Sequence, residues 1–177
     1  MRLAAFLLAL LLPVTAQAAQ PVDALFKQLH AAGSPEEAKP IEQQIISLFM
    51  QSGSPSIDLL MMRAAAAGGA GDKDTAKKLY DAVTGIAPNY AEGWHQRGLL
   101  QADAGDDTGA MVSLQKAVAL NPRQFAALEQ LGTMLEDYGD KAGALKMYRA
   151  AQALDPQFEG LQRHIDSLSR AVEGQGI

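Results

Sequence analysis

The chain has 177 residues and no cysteine, with 48% hydrophobic but only 6% aromatic residues. Fifteen Lys and Arg against twenty Asp and Glu leave a net charge of −5. This excludes a general nucleic-acid binder, which needs a basic stripe to meet phosphates. Without cysteine there is no disulfide, no thiolate metal site and no cysteine nucleophile. Leu and Ala abound and Gly or Pro recurs at wide intervals, which points to helices.

Arg2 precedes the apolar run Leu3 to Leu12, then Pro13, then Ala16-Gln17-Ala18. One cation, a short apolar segment and a small-x-small site are the parts of a secretory signal peptide, expected over 1–18 with the cut after Ala18. The apolar segment falls short of the roughly 20 residues that span a bilayer, which disfavours an uncut anchor. No cysteine is available for lipid attachment. The mature chain is therefore expected in the periplasm or secreted, without a stable membrane anchor.

Residues 19–56 read as a degenerate helical hairpin. Ser34-Pro35-Glu36-Glu37 is a helix start, with a capping box and Pro in the first turn. Ile41, Ile45, Leu48 and Phe49 give the second helix an apolar stripe, with Pro40 near its start. Phe26 and Leu29 stand two periods of 34 before Trp94 and Arg97. The linker Ser52-Gly53-Ser54-Pro55-Ser56 follows.

A period of 34 then organises the chain. Pro88, Pro122 and Pro156 keep that spacing, as do the pairs Gly71-Asp72, Gly105-Asp106 and Gly139-Asp140, and Ala76, Ala110 and Ala144. Three units result: 57–90, 91–124 and 125–158. In each, glycine stops the first helix, the next Asp caps the second, and Pro prevents its continuation. Ala64, Gly98 and Gly132 sit where the two helices of a unit would cross, opposite Ala76, Ala110 and Ala144. Leu60, Trp94 and Leu128, then Tyr80, Leu114 and Tyr148, fill the spaces between crossings. Ile86, Leu120 and Leu154 are expected to close each unit. Leu161, Ile165, Leu168 and Val172 form one apolar face, as a capping helix over the last hairpin requires. The tail from Glu173 to Ile177 is expected to fray.

These units resemble tetratricopeptide repeats. The second carries Trp94, Gly98, Ala110, Leu114, Ala117 and Pro122 in the pattern's places; the third carries Leu128, Leu131, Gly132, Ala144, Tyr148, Ala151 and Pro156. The first keeps Ala64, Ala76, Tyr80 and Pro88. Arg63 and Arg97 replace a usual Leu, and Ala67 and Gln101 a usual aromatic residue; the Arg heads are expected in water. The resemblance implies an all-α, right-handed α-solenoid of such hairpins with a C-terminal capping helix.

No catalytic constellation is visible: there is no G-x-S-x-G elbow, H-E-x-x-H pair or phosphate loop. Gly68, Gly69 and Gly71 follow no strand and fall where the repeat turns. No cofactor is expected. His30, His95 and His164 lack ligand partners at helical spacing, and copper held by Met61, Met62 and His95 would have to bridge helices about 10 Å apart.

Charge is sorted by helix. The first 14 residues of the three units hold six acids and two bases; the remaining 20 residues of each hold seven acids and eight bases in total. In the family, the first helices line a concave groove. The resemblance therefore places there Asp58, Met61, Met62 and Ala65; then Glu92, His95, Gln96, Leu99 and Asp103; then Ala126, Glu129, Gln130, Thr133 and Asp137. An acidic hollow attracts a cationic segment, with Met61, Met62 and Leu99 as apolar contacts. The expectation is a non-catalytic adaptor of the bacterial cell envelope, taking a basic or amphipathic protein or peptide segment. The alternative is a structural envelope protein that packs against copies of itself.

Overall fold

The computed structural model describes residues 20–174. The leader 1–18, with its cut after Ala18, lies outside the described residues, as does most of the tail. No helix among the described residues is long and apolar enough to cross a membrane. Nine helices are described: α1 (Gln20–Ala31), α2 (Pro35–Phe49), α3 (Pro55–Gly69), α4 (Lys73–Ile86), α5 (Ala91–Asp103), α6 (Asp107–Leu120), α7 (Phe125–Asp137), α8 (Lys141–Leu154) and α9 (Leu161–Glu173).

Helices α3 to α8 pair as three hairpins, each packed on the next, and α9 closes the row on α8. The turns follow from chemistry. Gly71, Gly105 and Gly139 take φ of +81°, +77° and +81°, a region that side chains disfavour. The next residue's carboxylate then accepts an orphan amide of the new helix: Asp72 from Thr75 at 3.1 Å, Asp106 from Gly109 at 3.0 Å, Asp140 from Gly143 at 2.9 Å. Helices α4, α6 and α8 each end two residues before the repeated proline.

Small residues set how closely paired helices approach. A Cβ built on Gly98 would lie 2.9 Å from Leu114 Cγ, and one on Gly132 would lie 2.8 Å from the Tyr148 ring. Ala64, Ala76, Ala110 and Ala144 are fully buried at the same crossings. Continuous burial across hairpins provides the core that no single hairpin could. Of the three closing residues, Leu154 joins the core beneath α1 and α2, whereas Ile86, with no such cover, is 68% exposed.

Arg97 departs from expectation. Its head is not in water: Nε donates to Asp81 at 2.7 Å, Nη1 lies 3.3 Å from Ser113 Oγ, and the guanidinium covers the Trp94 ring. Ser113 Oγ donates to Gln101 Oε1 at 2.6 Å, and Gln101 Nε2 donates to Asp106 at 2.9 Å. Where an aromatic residue is usual, this hairpin has a polar network.

The N-terminal hairpin forms, but it does not continue the row. Glu37 N donates to Ser34 Oγ, and Glu37 Oε2 accepts from Gly33 N at 2.8 Å, so the expected helix start is real. That cap shifts the register. Counted from the caps, Phe26 occupies the column of Ala64, Gly98 and Gly132, not that of Trp94. A phenyl ring at the crossing forbids the close pairing used by the repeats. Phe26 turns instead toward the third unit, meeting Phe125 edge-on at 6.4 Å.

Candidate functional site

On the concave side, one turn of α5 sets Glu92, His95 and Gln96 on one face. Gln96 Nε2 donates to Glu92 Oε1 at 2.7 Å; Gln124, just before α7, donates through Nε2 to Glu92 Oε2 and to His95 Nδ1, the latter at 3.1 Å. His95 Nδ1 also lies 3.4 Å from Glu92 Oε2, so amide, imidazole and carboxylate meet at one point. His95 Nε2 and Gln124 Oε1 are buried without a hydrogen-bond partner. Ile46 and Phe49 of α2, with Phe125 and Ala126, close this cluster into a cavity of about 180 Å³.

Farther along, Glu129 is partly buried on α7 and its bonds come from neutral groups. Gln130 Nε2 donates at 2.8 Å and Thr133 Oγ1 at 3.3 Å. Burial pushes the Glu129 carboxyl above its ordinary range, against the opposing pull of Thr133, His164, Gln130 and His95. The Tyr148 hydroxyl donates to Glu136 Oε2 at 2.9 Å, and His164 Nδ1 lies 2.8 Å from the same oxygen. Burial, with Glu136 beside it, pushes the Tyr148 phenol upward.

The expected groove residues do not form one patch. Glu92, His95 and Gln96 come together, as do Glu129, Gln130 and Thr133, with Leu99 half-exposed. Met61 turns into the core with Ile57, Ala64 and Tyr80, while Met62 is exposed, so the two thioethers and His95 do not converge. Asp58 accepts from Ser52 N at 2.9 Å and Ser52 Oγ at 2.6 Å, and those bonds hold its carboxyl below the usual range. Asp103 pairs with Lys73 at 2.7 Å near the hairpin turns, and Asp137 is exposed. Ala65 is also exposed. Among the described residues, no three His, Asp or Glu are placed to hold a metal ion.

The sequence reading missed Gln124, Glu136 and the α2 residues over the cavity. A signal existed for the first. Tyr90, Gln124 and Phe158 share a column at the end of each unit, and all three turn inward. Tyr90 donates to Met50 O at 2.7 Å, Gln124 to Glu92, and Phe158 meets Phe125 edge-on at 5.6 Å.

The tetratricopeptide-repeat family model matches residues 91–124. This is a tetratricopeptide-repeat protein. A TPR repeat-containing protein of Rhizobium etli is 31% identical over 96 residues, which are 54% of this chain and 47% of that one. The matched part thus spans about half of that relative. Among solved structures, the first TPR of Spaghetti bound to the HSP90 peptide SRMEEVD superposes with a TM-score of 0.61 at 19% identity, covering 66% of this chain and 93% of that one. The Yersinia enterocolitica type III secretion chaperone SycD, in complex with a peptide of the translocator YopD, gives 0.59 at 18% identity, covering 70% and 97%. At such identities the likeness of this tetratricopeptide-repeat protein to both structures concerns the fold.

Proposed function

We propose that this tetratricopeptide-repeat protein is a non-catalytic adaptor of the bacterial cell envelope that binds a basic or amphipathic peptide segment on the concave face of α5, α7 and α9. Glu129 carries the reading. It is a partly buried carboxylate bonded by neutral Gln130 and Thr133, and a partner's ammonium or guanidinium would supply the missing countercharge. Partly exposed Leu99 on α5 offers an apolar contact. The peptides held by the solved Spaghetti and SycD relatives support a peptide as occupant. The leader-like order of Arg2, the apolar run and Ala16-Gln17-Ala18 supports export.

Calorimetric titration with two synthetic amphipathic helices tests the binding. Both carry the same apolar positions, one with a Lys/Arg polar face and the other with Glu. The basic helix is expected to bind, and Glu129→Gln to weaken it about fivefold, the equivalent of one charge-assisted contact. Equal affinity for the acidic helix would refute the charge reading. Recovery from a periplasmic fraction with Ala19 at the N-terminus is the expectation for location; cytosolic recovery with Met1 retained would overturn it.

A further inference from the structure

By leaving the row, the α1–α2 hairpin gives the concave face a second wall. Ile46 and Phe49 of α2 stand over α5 and the start of α7 and enclose the cavity of about 180 Å³. The wall is firmly held, because Phe26, Leu29 and Ile45 are buried in one core with Phe125, Leu128 and Tyr148. The cavity's floor is buried: Glu92 is 4% exposed, His95 6%, and Gln124 and Phe125 2% each. Its rim is not, since Ile46 is 37% exposed and Gln96 and Ala126 are partly exposed. The cavity therefore opens onto the concave face.

The floor holds acceptors that its own donors do not fill. Glu92 takes its close bonds from two neutral amides, Gln96 at 2.7 Å and Gln124. His95 Nδ1 stays 3.4 Å away, beyond the roughly 2.7–3.2 Å of an N–H···O bond. A carboxylate offers about four lone-pair sites, so Glu92 keeps some unspent. Gln124 Oε1, a second acceptor, is buried without a hydrogen-bond partner, and so is His95 Nε2, whose role follows the ring tautomer. Among the described residues, no Lys or Arg lines the cavity. A buried carboxylate without a countercharge, beside an unpaired carbonyl, is costly until a partner supplies both.

We propose that this cavity is a socket for a guanidinium group, the head of an arginine in a bound peptide segment; the peptide as its source rests on the reading above. The positive charge answers Glu92. The planar fork of N–H donors reaches the carboxylate and Gln124 Oε1 together, which the point charge of an ammonium does less well. The flat, weakly hydrated face suits the walls of Phe49 and Phe125. Size points the same way. The volume is several times the roughly 30 Å³ share of one water, yet below the roughly 300–1,000 Å³ of pockets that bury a whole small-molecule ligand. One side chain fits that range. An anion would meet Glu92, and an apolar side chain would leave Gln124 Oε1 unpaired. Glu129, one turn along α7 from Ala126, offers the next acidic contact to the same segment.

The socket is tested first with n-butylguanidinium, followed by nuclear magnetic resonance of the Gln124 side-chain amide. That probe is expected to shift the amide signals, n-butylammonium to do so about tenfold more weakly, and butyrate not at all. Glu92→Gln removes the charge and keeps an acceptor, while Ala126→Leu narrows the rim from a partly exposed position and leaves the polar floor intact. Each is expected to weaken n-butylguanidinium about tenfold or more, with a melting temperature close to the parent's. Signals that stay still, or that move equally in Ala126→Leu or with butyrate, would overturn the socket. In a second arm, the basic amphipathic helix is made with an all-Arg and an all-Lys polar face. The Arg form is expected to bind the parent about tenfold more tightly, and Ala126→Leu to abolish the preference. Binding of both forms with equal affinity would overturn the socket and leave the peptide reading standing. Binding of n-butylguanidinium but of neither helix would uphold the socket for a free guanidinium compound and refute the peptide reading.

Discussion

Arg97 on α5 reaches back across the boundary between two repeats to Asp81 on α4, Nε to Oδ1 at 2.7 Å. Burial alone would push Asp81 up, but hydrogen bonds from Lys77 and Arg97 outweigh it and hold the carboxyl below its ordinary range. A depressed carboxyl contributes stability above its unfolded pKa, and that contribution is lost as pH falls through the folded value. Arg97→Met is expected to cost about 1 kcal/mol at pH 7 once screening is allowed for, and less below about pH 3. Arg97→Lys should fall between the two, because an ammonium keeps the charge but loses the planar cover over Trp94. Thermal melts of the three proteins at both pH values check this.

Glycines of opposite sign lie in the same solenoid. Gly132 meets the Tyr148 ring, so a methyl group there forces the helices apart, and Gly132→Ala is expected to destabilise by about 1–3 kcal/mol. Gly85, within α4, has nothing within 4 Å of an added Cβ and a negative φ. Gly85→Ala should stabilise by about 0.5–1 kcal/mol, through helix propensity and a less free unfolded chain. Urea titrations with an unchanged slope would attribute both shifts to stability.

Much of the solenoid was legible because its rules are local and repeated. A turn needing positive φ takes glycine, a new helix needs a cap, and a tight crossing needs a small side chain; each requirement leaves the same letter every 34 residues. The N-terminal hairpin escaped for a related reason. Projecting the period backward put Phe26 in the Trp94 column, but the Ser34 cap comes four residues early and moves Phe26 into the crossing. Glu42 likewise falls in the column of Tyr80, Leu114 and Tyr148. A large ring and a carboxyl in those places rule out another repeat, and the ring seats the hairpin against Phe125 of the third unit. At the groove, the resemblance placed Glu92, His95 and Gln96 on α5, where Gln96 donates to Glu92. It could not show that Asp103 pairs with Lys73, because that contact joins different repeats.

Tyr148 is fully buried, and its hydroxyl links α8 to Glu136 on α7. Tyr148→Phe keeps the packing against Gly132 and removes one charge-assisted hydrogen bond, an expected loss of about 1–2 kcal/mol. Tyr148→Ala empties the crossing as well and should cost about 3–5 kcal/mol. A small difference between these variants in urea midpoints would mean that the hydroxyl, and not the ring, holds the third hairpin together.

Phe26 separates two ways in which the N-terminal hairpin can belong to the fold. Its ring is 5% exposed and joins α1 to the third repeat through Phe125. If the hairpin were integral to one cooperative core, Phe26→Ala would lower every probe's midpoint together, by a total near the usual 3–5 kcal/mol for a buried phenyl. A displaceable hairpin behaves otherwise, since the loss falls on docking and leaves the row α3 to α9 nearly unchanged. Trp94, the single tryptophan, sits on α5 within that row and reports it alone. Phe26, Leu29 and Ile45 share one buried core with Phe125, Leu128, Tyr148 and Leu161, so the expected result for Phe26→Ala is a common lowering of the circular-dichroism and Trp94 fluorescence midpoints. An early loss of helical circular dichroism with the Trp94 midpoint unmoved would instead make the hairpin a separately melting unit.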